Sequence, residues 1–297
     1  MADLAGVPVY RARRFWRALG FANVDDDAVE FTDADVDALV LLLRLVADEV
    51  FDEQHALLLA RSLGQATARL AESQAELSLE LLDQAGVVGE DRARFLSLGV
   101  PDILPDLERL LTYTWRRQLA ASVGRVLQTD QEARAAQLAV GFADLVGFTR
   151  LSRRLEELDL ARLVDRFEGR SVDMVTAGRG RVIKTLGDSV MFVADLAQDA
   201  AEIALQLVEV HAGERTVPPV RVGVALGPVL ARMGDVFGST VNLASRLTSL
   251  AAPDQVLVDA QMGTDLATRH RFELSPVGPL VVRGFDEVTA FTLDRKS

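Results

Sequence analysis

Apolar positions in the first ~130 residues recur at helical spacing. After Asp33-Ala34-Asp35-Val36, which can cap a helix, they fall at Leu39, Leu42, Leu43, Val46 and Val50, the 3.6-residue period of an amphipathic helix. Ala56 to Leu70 and Leu77 to Leu82 repeat that pattern, and Gly86 and Gly89 punctuate the chain. Pro101 and Pro105 bracket another start, and Leu107 to Val126 carries a further apolar face with Trp115. Gln128 to Gln137 is polar and rich in helix formers, which predicts a connecting helix or linker.

After Leu138 the texture changes. Ala139 to Ala143 predicts a short strand, and Leu160 to Val175 an amphipathic helix. Gly180 to Lys184 and Val190 to Val193 are β-rich runs joined by Leu186-Gly187-Asp188, a hairpin signal. A helix over Ala200 to His211, a strand over Val220 to Leu226 and a helix over Val241 to Leu250, ended by Pro253, follow. Val256 to Val258 and Leu280 to Val282 read as strands. The pattern predicts an all-α domain over 1–126, a linker helix over 127–137, and an α+β domain over 138–297 with one antiparallel-rich sheet.

Composition narrows this picture. A chain of 297 residues is long enough for two domains. With no cysteine, disulfides and thiolate metal sites are excluded. A formal net charge of −12 disfavours nonspecific binding to nucleic acid or to an anionic membrane surface. The longest apolar run, Ala38 to Leu43, is broken by Arg44 and is far short of a membrane span. Met1 to Tyr10 shows no basic stretch followed by an apolar core, so no signal peptide is expected, and the location expected is the cytoplasm.

The candidate chemistry lies in the second half. Asp144 follows an apolar stretch in Phe142-Ala143-Asp144-Leu145-Val146-Gly147-Phe148-Thr149, and Asp188 does so in Lys184-Thr185-Leu186-Gly187-Asp188-Ser189. An acid at the end of a buried strand is costly, so it pairs, caps or binds metal. Two such acids can hold hard divalent cations against phosphate oxygens. The amides of Leu145, Val146, Gly147, Phe148 and Thr149, opening a helix, are placed to receive phosphate oxygens. Gly147 would let the chain come close to a ligand. A third segment, Gly234 to Arg246, puts Asn242 and Arg246 four residues apart on one face of a helix.

Together these segments resemble the catalytic domain of class III adenylyl cyclases, from about Gln137 to the C-terminus. The resemblance implies a βαββαβ ferredoxin-like core that works as a dimer, with sites in the cleft between two protomers. It implies that Asp144 and Asp188 bind two divalent cations, Mg²⁺ or Mn²⁺, and that Lys184 and Asp235 read adenine. Asn242 and Arg246 would orient the ribose and stabilise the transition state, and Arg283 would hold the triphosphate. The implied substrate is ATP, cyclised by attack of the ribose 3′-oxygen on the α-phosphorus with release of pyrophosphate. On one strand Lys184 and Asp188 would sit ~13 Å apart, so the two are expected to serve opposite sites of a two-fold homodimer. The N-terminal half, with short runs such as Arg13 to Asp27, resembles the helical regulatory domain of bacterial members that are autoinhibited and pH-responsive.

Other readings remain open at this level. A guanylyl cyclase of the same fold is disfavoured by the Lys184/Asp235 pair, because guanine presents the reverse donor–acceptor pattern. The catalytic half could instead be an inactive nucleotide-sensing dimer. Gly6 to Leu45 could form a helix-turn-helix, since Val9 to Arg13 is basic and precedes Gly20. The apolar surface at Leu39 to Leu45 suits a dimer core, or a lipid or partner ligand. His55, His211 and His270 are isolated and lack metal-ligand spacing; His55 and acids in a helix interface are candidates for pH sensing.

Overall fold

The computed structural model describes residues 1–22, 31–95, 100–129, 137–212, 214, 217–281, 284–285 and 287–296. They divide into two compact units, Met1–Ala120 and Ala121–Ser297.

The first unit is built from α1 (Val9–Ala18), α2 (Asp33–Ala47), α3 (Glu53–Gln84), α4 (Gly89–Arg94) and the start of α5 (Val100–Thr129). Thr32 and Asp35 form a capping box at the start of α2, where the Thr32 amide donates to Asp35 Oδ2 at 2.7 Å. Asp52 caps α3 by accepting from the His55 amide at 2.8 Å. Phe15, Leu39, Leu42, Ala56, Leu57 and Ala60 make the buried core of this unit. The run Leu39 to Leu45 is thus divided: Leu39 and Leu42 are interior, whereas Val40 and Leu41 are exposed.

Three expectations concern these elements. The two helices expected over 56–70 and 77–82 are a single helix, because Ala71 to Glu76 contains strong helix formers and neither Gly nor Pro. The helix-turn-helix read over Gly6 to Leu45 would include residues 23–30, which lie outside the described residues; of it the structure describes α1 and α2. Of the linker expected over 127–137, residues 127–129 end α5, Gln137 opens the first strand, and 130–136 lie outside the described residues.

The second unit opens with β1 (Gln137–Leu145), α6 (Phe148–Leu151), α7 (Glu157–Ala177), β2 (Arg181–Thr185), β3 (Ser189–Ala194), α8 (Ala197–Ala212) and β4 (Val220–Pro228). These four strands lie in the order β2-β3-β1-β4, the ferredoxin-like βαββαβ arrangement expected from the sequence. There follow β5 (Leu230–Arg232), β6 (Asp235–Phe237), α9 (Ser239–Leu250), β7 (Val256–Asp259), α10 (Ala260–Leu266), β8 (Phe272–Val281) and β9 (Glu287–Arg295). β7, β9 and β8 extend the sheet to seven strands, and β7 pairs parallel with β4 while the other described pairings are antiparallel.

Strand alternation assigns the two faces of the sheet. Ala139, Ala143, Val190, Phe192, Val222 and Val224 pack with Leu163, Phe167 and Val175 of α7 and with Ile203 and Leu207 of α8. Val140, Met191, Val193 and Ala225 pack on the other face with Val236 and Ala244. α9 therefore covers the face opposite α7 and α8. Among the described residues, no helix is long and apolar enough to cross a membrane.

Candidate active site

Asp144 is the penultimate residue of β1, and its alternation places it on the α9 face beside Arg221 of β4, its register partner. Arg221 Nε and Nη2 both bond Asp144 Oδ2, at 2.8 and 2.6 Å, while Nη1 donates to the Ser249 carbonyl at 2.9 Å. Sequence reasoning did not single out Arg221. A lone arginine in Val220-Arg221-Val222 reads as the solvated side of an alternating strand, and only the pairing of β4 with β1 turns it onto an acid.

Asp188 closes the turn between β2 and β3, next to Ser189, which pairs with Asp144 across the ladder. Its carbonyl accepts the Leu145 amide at 2.9 Å, so the two aspartates approach each other from adjacent chain ends. Burial first, and then the charge of Asp144, push the Asp188 carboxyl up from its usual range. Two converging carboxylates that repel one another suit a hard divalent cation. Among the described residues no cluster of three His, Cys, Asp or Glu surrounds them.

The loop after Asp144 only partly matches the expected amide cradle. The Leu145 and Val146 amides are engaged by the Asp188 and Pro219 carbonyls at 2.9 and 2.8 Å, and Leu145 is buried. The amides of Gly147, Phe148 and Thr149 remain as the phosphate-facing candidates. Gly147 is required by its backbone, with φ of 75°, rather than by crowding at a side-chain position.

Lys184 Nζ donates to Asp235 Oδ2 at 2.7 Å, which joins β2 to β6. Both side chains are about one-third exposed, at 37% and 31%. Burial works to raise the Asp235 carboxyl, but the Lys184 ammonium and the Val236 amide outweigh it and hold the group below its ordinary value. The expectation of Lys184 and Asp188 on one strand needs correction. Lys184 is in β2, beyond a bulge between Val182 and Lys184, and Asp188 lies past the strand end in the turn.

Asn242 and Arg246 are exposed on one side of α9 and, with Ser239, Gly284 and Phe285, line a cavity of about 620 Å³. Gly223 of β4 sets how closely α9 approaches the sheet: a Cβ there would lie 2.2 Å from the Thr248 amide and 2.6 Å from the Ala244 carbonyl. Thr248 Oγ1 adds a bond to the Phe142 carbonyl at 3.2 Å. Arg283 lies outside the described residues. His55 is exposed in the first turn of α3, with Nδ1 2.9 Å from Asp52 Oδ2.

α9 thus separates two clusters. Arg221 ties Asp144 to Ser249 near its C-terminus, and the Lys184–Asp235 pair sits just before its N-cap, Gly238. Eleven residues of helical rise put those ends about 16 Å apart.

A family profile described as the adenylate and guanylate cyclase catalytic domain matches residues 131–295. An adenylate cyclase of Streptomyces coelicolor is 48% identical over 99% of this chain and 84% of its own length. A pH-sensitive adenylate cyclase of Mycobacterium tuberculosis is 34% identical over 94% of this chain and 72% of its own. Among solved structures, the catalytic core of a rhodopsin-guanylyl cyclase with converted specificity, in complex with ATPαS, superposes with a TM-score of 0.51 at 23% identity, covering 55% of this chain and 97% of that one. That likeness bears on the fold. The profile spans more than half of the chain, and the order of strands, acids and α9 is the one the sequence motifs implied, so this chain belongs to the adenylate and guanylate cyclase family.

Proposed function

We propose that the chain is an adenylate cyclase, converting ATP into 3′,5′-cyclic AMP and pyrophosphate at two sites shared between the protomers of a homodimer. The observation that carries this reading is the Lys184–Asp235 pair. An ammonium can donate to adenine N1, and a carboxylate can accept from the exocyclic amine. Guanine offers a donor at N1 and an acceptor at O6, the reverse pattern, so a guanylate cyclase is disfavoured. The relative from Streptomyces coelicolor, named adenylate cyclase, supports the same choice.

Asp144 and Asp188 would hold the divalent cations, Mg²⁺ or Mn²⁺, which supply charge neutralisation to the polyphosphate and acidify the ribose 3′-hydroxyl. The residues do the rest by positioning. Asn242 orients the ribose so that its 3′-oxygen faces the α-phosphorus. As the new P–O bond forms and the bond to the bridging oxygen breaks, Arg246 meets the charge that builds on the α-phosphate. Pyrophosphate leaves with that bridging oxygen, and the 3′-hydroxyl proton passes to solvent. Arg221, released from Asp144 when cations bind, would turn its fork to the phosphates.

Two protomers would be needed because Arg221, which holds Asp144, reaches the C-terminal end of α9, whereas Asp235, paired with Lys184, precedes its N-terminal end. Acids of one chain would then meet the base-reading pair of the other across a two-fold axis. The N-terminal helical unit would act as the regulator, shifting the protomers and so misaligning a composite site. Relatives that align over nearly the whole chain, one of them pH-sensitive, support that role.

Purified full-length chain, assayed with ATP and with GTP in Mg²⁺ and in Mn²⁺, should release cyclic AMP and little cyclic GMP. Asp144→Ala should abolish it. A preference for GTP, or no cyclic nucleotide with either metal, would refute the proposal. A chain starting near Ala135 should show a flatter pH profile, and an unchanged profile would exclude the regulatory role.

A further inference from the structure

Every fourth residue of α5 from Ile103 to Val123 is a large apolar one: Ile103, Leu107, Leu111, Trp115, Leu119 and Val123. Residues four apart stand one above the other on a helix, so these six form one continuous, inclined ridge. Among the described residues of α5 none is buried. Leu107 is half-buried, the other five ridge residues are between 44% and 53% exposed, and none of the six belongs to a buried core cluster. A helix takes most of its stability from packing one face against a neighbour, and a long exposed apolar patch marks an interaction surface. The ridge lies outside the site described above.

The charges on α5 select the partner and its direction. Asp102, Asp106 and Glu108 lie in the first third of the helix, Arg109, Arg116, Arg117 and Arg125 follow, and no acid stands between Arg109 and Thr129. Two such helices laid parallel set acids against acids and arginines against arginines. Laid antiparallel, each acidic end meets a basic one, which makes the surface complementary to itself, as a two-fold contact requires. We propose that the apolar ridge of α5 packs antiparallel against the same ridge of a second copy of this chain, with the crossing between Leu111 and Trp115. Ridges of residues four apart interdigitate with the helix axes inclined by about 50°, which concentrates the contact on the middle of the ridge. Trp115, beside the crossing, has the size and the central place of an interface anchor.

A second copy is favoured over an unrelated protein by the position of α5 in the chain. The helix ends at Thr129, and β1 of the catalytic unit begins at Gln137. The inference rests on the homodimer proposed above: two catalytic units held on a two-fold axis bring two α5 helices together at a high effective concentration. The pair of ridges would then tie the two chains a second time, ahead of their catalytic units.

The chain has no cysteine, so introduced cysteines report on this contact alone. Full-length chains carrying Leu107→Cys or Leu119→Cys, differently tagged and produced together, are treated with a short bis-maleimide and the linked dimers are read on a denaturing gel. The expected result is a link between the 107 and 119 positions of different chains, and a link of Leu111→Cys to itself. Leu107→Cys alone and Leu119→Cys alone should each link to themselves at least about fivefold less, and Trp115→Glu should lower the mixed link at least about fivefold. Self-links at both 107 and 119 without the mixed link would show a parallel pair and overturn the proposal, as would a mixed link unchanged by Trp115→Glu. No link at any position, in a chain that is dimeric by light scattering and releases cyclic AMP, would overturn the α5 pairing and leave the homodimer reading standing. A monomeric chain would overturn both, whereas the expected links in a chain without turnover would support the pairing and fail the cyclase reading.

Discussion

Single side chains divide into those whose roles were legible in the sequence and those whose partners arrive only with the fold. Lys184 and Asp235 are 51 residues apart, and only the resemblance to class III cyclases implied that they act together; the structure brings them to 2.7 Å. Arg221 was invisible because nothing in a strand sequence says which neighbour it will face. Its attachment to Asp144 has a measurable consequence. Removing the guanidinium leaves Asp144 and Asp188 facing each other without that counter-charge. Arg221→Ala should therefore unfold at a lower temperature without metal, and added Mn²⁺ should raise its melting temperature by more than it raises that of the unaltered chain. Equal metal-induced shifts in the two proteins, read by scanning fluorimetry, would remove Arg221 from the metal region. Arg246→Ala should instead leave stability within about 0.5 kcal/mol, since the side chain is exposed, while lowering kcat by about 10²–10³. A change confined to KM would assign Arg246 to ground-state binding.

Elements were read well where the hydrophobic period was long and uninterrupted, as over α2, α7, α8 and α9, and poorly where it was broken. Most of β8 was missed because Pro276, Gly278 and Pro279 lie inside it. Those residues are tolerated because β8 is the edge strand of the sheet, where a missing amide costs no ladder bond on the open side. β5 and β6 are three residues each, too short for any period to show. β9 was missed although it carries a structural clamp: Arg295 bonds Glu202 at 2.7 Å and Glu209 at 2.6 Å, fastening the last strand to α8. The Arg295 hydrogen bond is the main cause that holds the Glu202 carboxyl below its ordinary 4.5, against the opposing effect of burial. A depressed folded-state value contributes stability that is complete above the unfolded value and is lost as pH falls through the folded one. Glu202→Gln should accordingly flatten the acid limb of melting temperature against pH and cost little of that slope near neutrality. An acid limb of unchanged steepness would show that the clamp carries no stability. The packing of α9 gives a sharper prediction. Gly223→Ala must push Thr248 and Ala244 outward. The expected cost is about 1–3 kcal/mol of stability, with a fall in kcat of tens of fold as Asn242 and Arg246 shift. Unaltered kcat in a folded protein would mean that α9 placement is not limiting.

At the scale of the whole molecule, the question is how many chains one reaction needs. Within one protomer Asp144 is tied through Arg221 to Ser249 near the C-terminal end of α9, whereas Lys184 and Asp235 pair just before its N-cap. The sequence suggested such a division for a different reason, a strand spacing that the structure replaces with a turn. A two-fold axis that brings the exposed Asn242 and Arg246 face toward a second copy would reunite the groups, one cleft using Lys184 and Asp235 of the first chain with Asp144 and Asp188 of the second, and the other cleft the converse. Lys184→Ala and Asp188→Ala should each be inactive as homodimers. In a mixed dimer, one cleft collects both intact groups and the other both defects. Random equimolar exchange makes half the dimers mixed, each with one working cleft of two, so turnover should recover to about a quarter of that of the unaltered chain. Mixed dimers can be confirmed by differential tagging and tandem purification before the assay. If such dimers form and no turnover returns, the groups that read the base and the acids that hold the metal belong to one and the same chain.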